Sequence, residues 1–77
     1  MNASQKKDAN KIFSQIEHMQ SIIDVYRDEL QEKYDGMSEK AQEGEKGERL
    51  MEEISSLSDC YDYLENAKDA LGNAIGE

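Results

Sequence analysis

Proline and tryptophan are both missing from this 77-residue chain, and phenylalanine, cysteine and histidine occur once each. Without proline nothing in the sequence interrupts a long helix. The scarcity of aromatic residues leaves little of the material from which packed sheets are built. One cysteine, Cys60, cannot close an internal disulfide, which suits a reducing compartment. One histidine and one cysteine are too few for a structural zinc site. Positive charge is also scarce: nine Lys and Arg stand against 18 Asp and Glu, for a net charge of −9. Such a balance disfavours direct binding of nucleic acid or an anionic membrane and favours a partner with a basic surface. No apolar run approaches the ~20 residues needed to span a bilayer. Met1-Asn2-Ala3-Ser4 lacks the apolar core of a signal peptide. The expected setting is therefore cytoplasmic.

What is present is periodicity. Hydrophobic and charged residues are nearly balanced, at 36% and 35%, and their order decides the fold. Leu50, Ile54, Leu57, Tyr61, Leu64, Leu71 and Ile75 recur at alternating steps of four and three, with Lys68 in the open slot. This places one apolar seam along a long helix. Upstream, Ile12, Ile16, Met19, Ile23, Tyr26 and Leu30 repeat in the same way. The spacing predicts a first helix over about residues 5–34, capped by Ser4 or Asp8. A connection with a short helical turn follows over 35–44, and a second helix runs over about 45–74. Asp35-Gly36 is a turn signal in which Gly can take positive φ, and Ser38 is placed to cap the short turn. A short connection makes the two helices antiparallel neighbours. The expected fold is all-α: a single-domain, coiled-coil-like two-helix hairpin.

Apolar residues outside the seams widen the stripe beyond what one partner helix covers. They are Phe13, Ile22 and Val25 on the first helix and Met51 and Tyr63 on the second. Cys60, Ala67 and Ala74 flank the second seam and are small enough to admit a neighbouring backbone. These features predict a homodimeric four-helix bundle, or a hairpin docked by its free face on another protein.

Tyr34, Gln42 and the Lys46-Gly47 pair form a pattern of an aromatic at the first helix end, a loop Gln and a basic-Gly pair before a regular acidic helix. Over about residues 30–75 this resembles a loosely defined set of small helical-hairpin proteins encoded by bacteriophages, prophages and mobile elements. Gly44 stands where those proteins more usually carry a capping Ser. The resemblance implies a genomic setting, and so a bacterial host, but no particular reaction.

Catalysis and cofactors find no constellation here. His18 and Cys60 lie on different helices, and Gly44 and Gly47 lack the strand and spacing of a phosphate loop. The acids between Asp35 and Glu48 lack the order of a calcium loop. The expectation is a protein that is not an enzyme, with no cofactor and no metal. The feature with functional content is the back of the second helix. Glu45, Glu48, Glu52, Ser55, Asp59, Asp62, Asn66, Asp69 and Asn73 share that side, six acids without a Lys or Arg in the row. Ordinary exposed faces interleave unlike charges, because like pairs at three or four residues cost a few tenths of a kcal/mol. Carboxylates at that spacing lie about 5–6 Å apart, near the spacing of successive phosphates. The leading expectation is thus a small acidic phage-type inhibitor. It would set Glu45, Glu48, Glu52, Asp59, Asp62 and Asp69 against a basic nucleic-acid-binding surface of a host protein, as an anti-CRISPR or anti-restriction-like mimic. Met51 and Tyr63 would be its apolar anchors. The alternative is a homodimeric bundle acting as an adaptor, assembly factor or chaperone through its apolar flank.

Overall fold

The chain enters its first helix through a reciprocal cap. In the computed structural model, which describes residues 1–76, the Asn2 side chain accepts from the Gln5 amide at 2.8 Å, and the Gln5 side chain accepts from the Asn2 amide at 2.9 Å. Two of the orphan donors at the helix start are satisfied this way. The cap is Asn2 rather than Ser4 or Asp8, the residues expected from the sequence. Helix α1 then spans Ala3–Asp35. It closes through amide donation from Gly36 to Glu32 and from Met37 to Tyr34, each at 3.0 Å. Gly36 sits at φ −78°, so the turn does not use the left-handed freedom expected of Asp35-Gly36.

Ser38 caps the five-residue helix α2, Glu39–Glu43, by accepting from the Ala41 amide at 3.2 Å. Helix α3 spans Glu45–Gly76, passing through Gly72 without a break. The two long helices pack antiparallel as an all-α hairpin about 57 Å long.

Residues of the pattern Tyr34, Gln42, Lys46-Gly47 hold the connection together. The Gln42 side chain donates to the Tyr34 carbonyl at 2.9 Å, tying α2 to the end of α1. Gly47 is buried at the start of α3, where a Cβ would lie 2.0 Å from the Gln42 carbonyl oxygen. Only glycine lets the α2 backbone come so close.

The seam of α3 follows the sequence: Leu50 and Ile54 are buried, and Leu57, Tyr61, Leu64, Lys68, Leu71 and Ile75 are half-buried. The seam of α1 does not. Its inward residues are Ala9, Phe13, Ile16, Gln20, Ile23, Arg27, Leu30 and Tyr34. Ile16, Ile23 and Leu30 belong to both versions. Ile12, Met19 and Tyr26, expected inside, are 49%, 44% and 53% exposed. Phe13, expected on the flank, lies within the seam.

Two polar residues hold the true seam because each is partnered. Gln20 is only 4% exposed, and its amide donates to the Tyr61 carbonyl at 3.3 Å and to a Glu65 carboxylate oxygen at 2.8 Å. Left unpaired, such a group would cost ~1–3 kcal/mol. The Arg27 guanidinium donates to Asp24 and, at 3.3 Å, to Ser58, and its centre lies 5.2 Å from the Tyr61 ring centroid. The ring face attracts the cation.

Candidate interaction surfaces

The seam divides the hairpin into sides of different character. On α1 the line Asn10, Ser14, Glu17, Ser21, Asp24, Asp28 follows the seam by one step. On α3 the corresponding line runs through Glu48, Met51, Ser55, Ser58, Asp62, Glu65 and Asp69. One step is about 100° of helix rotation, and antiparallel helices turn these two lines to the same side. Contacts across the groove agree: Arg27 bridges Asp24 of α1 and Ser58 of α3. This side is polar and rich in acid.

The opposite side carries the lines one step before the seam. On α1 these are Ile12, Gln15, Met19, Ile22 and Tyr26, continuing through Glu29 to Lys33. On α3 they are Ser56, Cys60, Tyr63, Ala67, Ala70 and Ala74, preceded by Arg49 and Glu53. Leu30 and Lys33 of α1 line one groove together with Arg49 and Glu53 of α3, which places both lines on one face. Ile22 and Tyr63 are exposed here, Tyr63 to 72%. Val25 is also exposed but points further round α1, away from α3.

The back of α3 lies between these faces, directed away from α1. Glu45, Glu48, Glu52, Asp59, Asp62 and Asp69 are all exposed there. The row does have one cation near it. Arg49 approaches Glu45 at 3.6 Å and lies among Glu45, Glu48 and Glu52. On the C-terminal side of Arg49 the only basic residue of α3 is Lys68, and it is occupied: its ammonium is 3.1 Å from Glu65 and 5.8 Å from the Phe13 ring centroid. Arg27 is likewise engaged by Asp24 and the Tyr61 ring. Asp59, Asp62 and Asp69 therefore stand without a neighbouring cation of their own.

Among the described residues, Glu65 and Lys68 are shifted from their ordinary values. The Gln20 amide, and then Lys68, hold the Glu65 carboxyl below the usual glutamate value, because both donate hydrogen bonds to the charged form. The Lys68 ammonium is raised, first by its hydrogen bond to Glu65. His18 and Cys60 are exposed, on α1 and α3 respectively.

Of the residues singled out in sequence, the fold keeps the six acids together on one exposed row and puts Ile22 and Tyr63 on one face. It sends Met51 to the acidic side and Phe13 into the seam. Ile12, Met19 and Tyr26, expected in the core from their spacing, are instead the centre of the apolar face. The signal for this was Gln20 and Arg27, which continue the four-three repeat from Phe13 and leave the alternative set outside. No family model matches the chain, and comparison with curated proteins and with solved structures returns no match.

Proposed function

We propose that the chain is an interaction protein rather than an enzyme, and that it works by presenting the acidic back of α3 to a basic surface of a partner protein. The observation that carries this is the occupation of both central cations. Arg27 and Lys68 are held in the seam by Asp24 and Glu65, so nothing along the row offsets Asp59, Asp62 and Asp69. Acids at three- and four-residue spacing destabilise an isolated helix slightly, and a basic partner surface would recover that loss. Glu48, Glu52, Asp59, Asp62 and Asp69 supply the electrostatic contact, with Glu45 shared with Arg49. Met51, exposed beside Glu48 and Glu52, supplies an apolar anchor. In its specific form the reading is a small phage-type inhibitor that occupies the nucleic-acid groove of a bacterial host protein, of the anti-CRISPR or anti-restriction kind.

The test is capture from a bacterial lysate by the immobilised chain, followed by elution with salt or with duplex DNA. Basic nucleic-acid-binding proteins that leave at moderate salt, and that DNA displaces, are expected, since electrostatic association is screened by ions. Retained proteins indifferent to both would refute the mimic.

A second reading is favoured by the apolar face of Ile12, Met19, Ile22 and Tyr26. On it the chain is a helical-bundle adaptor, assembly factor or chaperone that grips partners through that face, and capture would then resist salt.

A further inference from the structure

At the loop end of the hairpin α2 packs on α3, and a pocket of about 490 Å³ lies between it and the ends of the long helices. Leu30 of α1, Met37 of the turn, Ala41 of α2 and Leu50 of α3 form its apolar part. Leu50 is buried and the other three are half-buried. Among the described residues lining it, three are cations, Lys33, Lys46 and Arg49, and one is an acid, Glu53. The chain as a whole sets nine Lys and Arg against 18 Asp and Glu, so the balance of charge is reversed here. Arg49 reaches Glu45 at 3.6 Å, whereas Lys33 and Lys46 have no ion pair among the described residues.

We infer that this pocket binds a small monocarboxylate with an aliphatic tail, of the class to which medium-chain fatty acids belong. Its volume falls within the range of small-molecule sites, which pair apolar walls with a few polar groups. The walls select the class of ligand. Leu30, Ala41 and Leu50 suit an acyl chain, and the flexible thioether of Met37 adapts to its shape. Lys33, Lys46 and Arg49 suit the carboxylate, because hydrogen bonds between ionised partners are the strong ones. Glu53 on the same rim repels a second negative charge, which favours a single carboxylate over a dianion. The net charge of −9 acts mainly from a distance. At physiological ionic strength exposed charges more than ~8 Å away are largely screened, so a bound anion meets the cations of the pocket first.

The connection itself holds the pocket in shape. Gln42 ties α2 to the Tyr34 carbonyl at 2.9 Å, and Gly47 lets the Gln42 backbone sit directly on α3. Ser38 fixes the start of α2 by accepting from the Ala41 amide. These contacts position α2 without filling the space beneath it, since Ala41 contributes only a methyl group to the lining. A site formed before its ligand arrives loses less affinity to ordering. The inference does not depend on the acidic back having a partner.

An NMR titration of the isotope-labelled chain with sodium octanoate, kept below its micelle concentration, tests it. Circular dichroism confirms that each variant stays helical. Saturable shifts are expected at the amides of Met37, Ala41, Lys46 and Leu50. Octanol, which lacks the charge, should bind at least fivefold more weakly, and added salt should weaken octanoate. Lys33→Gln combined with Lys46→Gln should lower octanoate affinity at least fivefold. Lys6→Gln combined with Lys7→Gln removes the same charge near the start of α1 and should leave it unchanged. Ala41→Leu fills the pocket with a good helix former and should abolish binding. A native chain without saturable shifts would overturn the inference. So would shifts confined to Ile12, Met19, Ile22 and Tyr26, octanol bound as tightly as octanoate, or affinity that survives both the paired change at Lys33 and Lys46 and Ala41→Leu. None of these readouts involves the acidic row, so they separate this inference from the proposed function.

Discussion

Gly47 and Gly72 are both glycines inside α3, and intrinsic propensity treats them alike: replacement by alanine should gain up to ~1 kcal/mol. Their surroundings differ. A Cβ on Gly72 would meet the Phe13 ring at 3.6 Å, an ordinary contact, while one on Gly47 would meet the Gln42 backbone at 2.0 Å. Gly72→Ala is therefore expected to raise the unfolding midpoint, and Gly47→Ala to lower stability by about 2 kcal/mol or more, since backbone must move. Urea unfolding followed by circular dichroism checks both. At Glu65 and Lys68 the expectation concerns pH. Glu65 has a lowered value, so its contribution is present above its ordinary 4.5 and is lost as pH falls through the lowered value. Lys68 has a raised value, so its contribution is present below 10.5 and is lost as pH rises through the raised value. Stability from the pair should form a plateau between these limits. Gln20→Met removes the first cause of the Glu65 shift and should move that carboxyl back toward 4.5 in an NMR titration.

At the scale of the element, α3 was legible in the sequence because its seam is interrupted only by Lys68, whose stem packs inward while its charge finds Glu65. The hairpin follows from two matched repeats and a short connection. The rotation of α1 was not legible. Counting apolar residues favours Ile12, Met19 and Tyr26, and two polar residues inside a seam look like a breach of pattern. They are tolerated because the facing helix supplies a carbonyl, a carboxylate and an aromatic ring at the right levels. That information lies about 40 residues away in the chain, at Tyr61 and Glu65. The acidic row was legible, since it needs only the periodicity of α3. The relief of Glu45 by Arg49 was not, because Arg49 sits outside the row. Leu50→Ala and Ile54→Ala, both in the buried end of the seam, should each cost ~2–4 kcal/mol. Ile23→Asp and Leu57→Asp bury a charge without a partner and should cost enough to abolish most helicity. A circular dichroism spectrum unchanged by either aspartate would contradict the seam.

As a whole the molecule is a hairpin with an exposed apolar face on one side and an acidic row on the back of α3. The two proposed readings of its surface differ in their response to salt. Docking through the apolar face resists added ions, whereas attraction of the acidic back to a basic surface weakens. A partner held by the acidic back should thus be released as salt is raised, and one gripped by the apolar face retained. The central claim is that the acids do more than face solvent, and it is tested most directly by replacing three of them together: Glu52→Gln, Asp59→Asn and Asp62→Asn. These keep side-chain size, lie off the seam and leave the apolar face untouched. Association of the triple variant with the captured partner is to be measured by surface plasmon resonance at low and at moderate salt, beside a thermal melt. The expected result is equal or slightly higher thermal stability, as like charges are removed, with at least a tenfold loss of affinity arising mainly from slower association. Affinity that survives the triple change at both salt concentrations would contradict the account and leave the acidic row as a solvated surface.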